Sequence, residues 1–203
     1  WMAWLTDLGY DVSAGPIAML ATEPDRPEAH SVGAFLTDRA IEWFRGQHEP
    51  WFAHLSYLRP HPPYAAPGEW ADAYDRATVG VPIAPVAPGP ERPAFHELAL
   101  AVRASAAPTD PDRLAHMRAQ YYGMIGHVDH QLSRVWAALR DLGVWDDTFI
   151  VVTSDHGEML GDHGLKEKLG YWEQSYAIPC IVRDPSQPGA HGAVVDRFTE
   201  NVD

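Results

Sequence analysis

The strongest constraint on the fold is the run Thr148-Phe149-Ile150-Val151-Val152-Thr153, which is continuous, apolar and β-branched. A run this short and without alternation suits a strand covered on both faces, as in parallel sheets flanked by helices. IPCIV (178–182) reads as a second short strand, and the aromatic-rich WFAHLSYL (51–58) as a third. Between them, Leu114, Met117, Tyr121, Met124, Ile125, Val128, Leu132, Val135, Trp136 and Leu139 recur at helical steps. Pro111 suits the first turn of that helix and Gly143 lies just past its end. A shorter helix is predicted through Phe35, Leu36, Ala40, Ile41 and Phe44, with Thr37 and Asp38 near its start and Gly46 as its stop. Helices alternating with strands predict an α/β fold, a mostly parallel sheet sandwiched between helices. The Pro- and Ala-rich stretch at about 59–110 shows little periodicity and is expected to be an irregular excursion.

In parallel α/β sheets, ligands bind beyond the carboxyl ends of the strands. Two of the predicted strands end in polar clusters: 51–58 runs into Arg59 and His61, and 148–153 runs into Asp155 and His156. Both clusters are expected on one edge of the sheet. Asp155 and His156 offer a carboxylate oxygen and an imidazole nitrogen, and Gly157 lets the chain turn so that both reach one ion. Such mixed ligands favour Mn or Zn over Ca. Taken alone, an Asp-His pair is more often a turn cap beside a polar surface imidazole. Lys168 lies in a glycine-punctuated loop and reads either as an anion contact or as a solvated surface lysine. His61, between Pro60 and Pro62, has a stiff backbone suited to a fixed catalytic imidazole, though a structural role fits it as well. His163 reads as a hydrogen-bonded loop brace, and His54 as a satisfied core or edge residue. His127 and His130 are spaced for a metal, but helix-face polarity accounts for them equally. Cys180 is expected to be a small buried hydrophobe.

Composition narrows the partners. Charged residues make up 21% of 203 and the formal net charge is −13, which argues against a nucleic-acid face but does not exclude a small anionic ligand at a local positive site. No run approaches about 18 apolar residues, so no membrane-spanning helix is predicted. One cysteine excludes an internal disulfide framework. The chain opens on WMAWLTDLGYDV, the last turns of a helix and a glycine turn, and closes on RFTENVD. The expectation is a piece of a longer protein.

Taken together, TSDHGEMLGDHG, Lys168, YWEQSYAIPCIVRDP and ENVD resemble the C-terminal half of the catalytic domain of the sulfatase family, in the alkaline phosphatase superfamily. YLRPHPPYAAP and YYGMIGHVDHQLSRVWAALRDLG are similar to the family's preceding segments, in the same order. RPHPPY and the Asp-His form of the pair, where many sulfatases carry Asp-Asn, lean toward the arylsulfatase and phosphonate monoester hydrolase branch. The resemblance implies one sulfatase-type catalytic domain across 1–203, alkaline-phosphatase-like, with the sheet's N-terminal strands outside these residues. It implies that Asp155 and His156 bind a single divalent metal ion, Mn or Ca, that Lys168 contacts the sulfate or phosphoryl group, and that His61 lies beside the leaving group. The family's nucleophile is a formylglycine made from a Cys/Ser-x-Pro/Ala-x-Arg motif. The 203 residues contain no such motif, since Cys180 is followed by Ile-Val-Arg. The implied function is metal-dependent hydrolysis of small anionic sulfate, phosphonate or phosphate esters. The alternatives are a phosphodiesterase or phosphomutase of the same superfamily, and a catalytically dead binding domain. Homo-oligomer formation by the full-length form stays open.

Overall fold

The structure, a computed structural model, describes residues 1–85, 94–102 and 105–200. Its regular elements are α1 (Met2–Asp7), α2 (Pro16–Ala21), α3 (Val32–Arg45), α4 (Ala94–Ala101), α5 (Pro111–Asp141), β1 (Ile150–Thr153), α6 (Glu173–Tyr176) and β2 (Cys180–Arg183). They fall into two compact units that interleave along the chain. Trp1–Val81 with Pro108–Gly143 make the first, and Pro82–Ala107 with Val144–Asp203 make the second.

The first unit is built on α3 and α5. α3 starts where Ser31 Oγ accepts from the Ala34 amide at 3.0 Å, and it ends at Gly46. α5 starts where Asp110 accepts from the Arg113 amide at 2.8 Å, with Pro111 in its first turn. The two helices meet at Gly33, where a β-carbon would come within 2.5 Å of the His127 ring, so only glycine fits. The buried stripe of α5 contains the expected Met117, Met124, Val135 and Leu139, and also Gln120, His127 and Gln131. These polar residues serve the irregular chain packed on the helix. Gln120 accepts from the Ala66 amide and donates to the Ala71 carbonyl, both at 2.8 Å. Backbone groups that no ladder satisfies are satisfied by side chains instead.

Residues 51–58 correct the expectation of a strand. They form no ladder among the described residues, and Phe52 is 88% exposed. His54 is exposed as well, so it is not a core residue. A short apolar run becomes a strand only where a neighbouring edge is present to pair with it.

The first unit also holds a fully buried ion pair. Arg59 Nε and Nη2 donate to Glu23 Oε2 at 2.9 and 2.6 Å. Its other N–H groups go to the Leu20, His61 and Pro63 carbonyls at 2.8, 3.0 and 2.7 Å. Glu23 Oε1 in turn accepts from the Val32 amide, an orphan donor at the start of α3.

In the second unit β1 and β2 pair antiparallel, Ile150 opposite Arg183 and Thr153 opposite Cys180. Both strands lie where the sequence puts them, but the described residues form no parallel pair and do not supply the expected cover. Val151 and Ile181 are 52% and 63% exposed. Cys180, in the same strand as Ile181, is exposed and not buried. The excursion is more ordered than expected: residues 68–72 form a 3-10 turn and AFHELALA folds as α4, as its Ala, Leu and Glu favour. Residues 86–93 and 103–104 of the same stretch lie outside the described residues. Ala99 of α4 packs with Met159 and Leu165 in a small buried cluster flanked by Leu100, Leu169 and Trp172.

Burial separates His127 from His130 on α5. His127 is fully buried and donates from Nε2 to Glu28 Oε1 at 2.9 Å, whereas His130 is exposed. The hydrogen bond from His127 holds the Glu28 carboxyl below its ordinary value of 4.5, against the opposing effect of burial. A carboxyl depressed in the folded state contributes stability that is fully present above its unfolded pKa and is lost as pH falls through the lower folded value. Urea unfolding from about pH 7 to about pH 3 should therefore show a loss beginning below about pH 4.5 that is smaller in Glu28→Gln. An identical pH profile in the variant would remove this pair from the account of acid stability.

Candidate functional site

The polar cluster after β1 is shaped by a glycine. The Gly157 amide donates to the Ser175 carbonyl at 2.7 Å, and a β-carbon at 157 would lie 2.1 Å from the Gln174 carbonyl oxygen. The turn is thus seated directly on α6, and Ser154 Oγ closes it by donating to the His156 carbonyl at 2.7 Å. The motif EQS, distant in sequence, is what fixes the DHG turn.

Within that turn the His156 ring is oriented by its own backbone. Nδ1 lies 2.7 Å from the Gly157 carbonyl oxygen, which can only accept, so Nδ1 carries the proton and Nε2 the lone pair. Lys168 Nζ donates to that Nε2 at 2.7 Å, and Asp155 Oδ2 stands 3.6 Å from it. The structure therefore brings together Asp155, His156 and Lys168, three of the four residues singled out in the sequence. The Asp155 side chain is 87% exposed, so the group opens to solvent among the described residues.

The donor set suits a cation. The 3.6 Å between the Asp155 oxygen and the His156 nitrogen is a spacing that two ligands of one ion at about 2.0–2.5 Å adopt at ordinary angles. The site also already accepts a cation, since the Lys168 ammonium sits on the imidazole lone pair. Among the described residues no group of three or more His, Cys, Asp or Glu side chains could hold a metal, so these contribute two ligands at most.

Lys168 is brought to His156 by the 158–167 loop. The Met159 amide donates to the Glu167 carbonyl at 2.9 Å and the Gly161 amide to the Leu165 carbonyl at 2.7 Å. Leu160, His163 and Glu167 adopt left-handed backbone conformations, with φ of 48°, 56° and 66°. His163 braces the loop by stacking on Trp172, with ring centroids 3.9 Å apart, and Trp172 stacks on His96 from α4 at 4.0 Å.

His61 belongs to the first unit. Its ring is exposed, and Nδ1 donates to the Pro62 carbonyl at 2.9 Å, which again leaves the lone pair on Nε2. Its carbonyl oxygen is held by Arg59. Because 51–58 is not a strand, a sheet edge shared with Asp155 does not follow from the described residues. Sequence reasoning missed Glu23, the Gln174-Ser175 seat and Glu158. Only Glu158 carried a signal, as the acid beside the Asp-His pair.

The motif resemblance is borne out by known proteins. Residues 9–203 match the family model described as Sulfatase. The chain is 36% identical over 195 residues to the multifunctional alkaline phosphatase superfamily protein PehA of Trinickia caryophylli, covering 89% of this chain and 38% of that one. It is 29% identical over 170 residues to an arylsulfatase of Clostridium perfringens, covering 82% and 35%. The phosphonate monoester hydrolase of Agrobacterium radiobacter superposes with a TM-score of 0.77 at 35% identity, covering 98% of this chain and 44% of that structure. The chain thus spans about two fifths of the length of these relatives. Residues 201–203, at the end of ENVD, lie outside the described residues.

The orientation of His156 can be checked directly. Its imidazole 15N shifts, in metal-free protein above the histidine titration range, should show a protonated Nδ1 and a bare Nε2. The opposite tautomer would remove the lone pair from the face shared with Asp155 and Lys168.

Proposed function

Because this chain belongs to the sulfatase family, we propose that it forms part of a metal-dependent hydrolase of sulfate, phosphonate or phosphate esters. The observation that carries this reading is the convergence of Asp155 Oδ2, His156 Nε2 and Lys168 Nζ on one point beyond β1. The relatives add weight, since an arylsulfatase and a phosphonate monoester hydrolase are both among them.

In this reading Asp155 Oδ2 and His156 Nε2 hold one divalent ion, Mn or Ca, together with ligands from outside these residues. When bound, the ion supplies Lewis acidity to the ester oxygens. Lys168 is an ammonium with three N–H donors; its bond to His156 Nε2 uses the lone pair that the ion would take, so with the ion bound the lysine can turn to the oxygens of an anionic ester. Aimed at charge that grows as the ester bond breaks, it stabilises the transition state more than the ground state. With Nδ1 tied to the Pro62 carbonyl, His61 takes up and releases a proton at Nε2, so the doubly protonated ring would give that proton to a departing alcohol oxygen and be left neutral. The nucleophile, a formylglycine in the family, is expected from a part of the complete protein that these residues do not include.

Two measurements on the complete protein test the assignment. Elemental analysis of purified Asp155→Ala and His156→Ala should show bound divalent metal and ester hydrolysis falling together. Metal content equal to that of the unchanged protein in both variants would make the pair a turn and no more. Lys168→Ala should lower kcat by about 10²–10³ for phenyl and alkyl esters, and by much less for nitrophenyl esters, whose oxygen leaves well unaided. An equal loss of kcat for every ester would place the lysine on the oxygens of the transferred sulfuryl or phosphoryl group and not on the leaving oxygen.

A further inference from the structure

We propose that Glu158 is a positioning residue for Lys168, closing the neck of the loop that carries the lysine. Lys168 meets His156 across twelve positions of chain that run out from the turn and must come back. One carboxylate oxygen gathers both arms of that excursion: Glu158 Oε1 accepts from the Leu160 amide at 3.4 Å and from the Glu167 amide in a shorter bond. The adjacent Met159 amide adds the 2.9 Å bond to the Glu167 carbonyl, so Glu167 is held on both its N–H and its C=O.

Glu167 is the residue that needs such holding. It is left-handed at φ 66° with a full side chain, a conformation that persists only where the surroundings over-determine it. That backbone reversal comes immediately before Lys168 and sets the direction in which the lysine leaves the loop. The far end of the loop has its own supports: the Lys166 amide donates to the Ser105 carbonyl at 2.8 Å, Leu165 is buried beside Met159, and His163 stacks on Trp172. At the neck, the side chain that ties the Glu167 amide is Glu158. An ionised carboxylate accepting from a backbone N–H is a strong, charge-assisted tie. Glu158 therefore acts on the reaction through Lys168, and this inference rests on the role proposed above for that lysine.

The test is a double-mutant cycle in the complete, metal-loaded protein, with aryl sulfates and aryl phosphonate monoesters of rising leaving-group pKa as probes. Glu158→Ala should lower kcat about 10–100-fold for poor leaving groups, with less effect on nitrophenyl esters and little on KM. Glu158→Gln keeps the shape and one acceptor oxygen and should recover most of the loss. In the Lys168→Ala background Glu158→Ala should cost no more than about threefold further, because residues that act through one interaction are not additive. Amide hydrogen exchange should rise at 158–168 in Glu158→Ala. Equal losses with and without Lys168 would overturn the inference, whatever Lys168 itself does. The leaving-group slope of Lys168→Ala judges the role of the lysine separately, and coupling without a slope would leave Glu158 as positioner of a lysine that contacts the oxygens of the transferred group. If Glu158→Ala does not fold, Glu158→Gln runs through the same cycle.

Discussion

Backbone groups removed from water must find partners, and outside the helices the described residues offer them one short strand pair and the isolated bridge between Ala106 and Leu165. Buried side chains take over the work that ladders do elsewhere. Arg59 is the clearest instance, with every N–H of its guanidinium engaged on Glu23 and on the Leu20, His61 and Pro63 carbonyls. Such a pair is costly to desolvate and is sustained by completeness: were one partner removed, a buried charge would be left alone. Gln120 does the same for Ala66 and Ala71, and Glu158 for Leu160 and Glu167.

The same economy orients the two imidazoles. In His61 and His156 alike, Nδ1 donates to the carbonyl of the next residue, and the lone pair is left on Nε2. A bond this local needs no distant partner to set the tautomer. It survives small shifts of the surrounding chain, because ring and acceptor travel together. What differs is the neighbourhood: His156 meets a carboxylate and an ammonium, whereas the backbone of His61 is anchored to a buried guanidinium.

What the sequence disclosed follows the range of the interactions involved. α5 was legible because its stripe, its first-turn Pro111 and its terminal Gly143 are all local signals, and the same holds for most of α3. β1 and β2 were legible as strands, but their exposure was not, since cover depends on what lies beside a strand. The run at 51–58 has strand composition and no ladder, and Cys180 has apolar neighbours and no burial. α4 was hidden by the Pro and Ala around it. At the candidate site, Asp155, His156 and Lys168 could be named from their motif, and the loop returns the lysine to the pair. Glu23 could not be found, because its partner stands thirty-six positions away with no pattern linking them.

The interleaving of the two units has a consequence for biosynthesis. The polar network of the first unit joins Glu28 to His127 and Asp38 to Arg134, so its halves lie on opposite sides of the segment given to the second unit. At about 5–20 residues per second, a ribosome needs several seconds between completing Val81 and completing Gly143. Throughout that interval the carboxylates of Glu28 and Asp38 and the inner face of α3 have no α5 to close on. The nascent chain must wait, solvated and unfinished, until the long helix emerges.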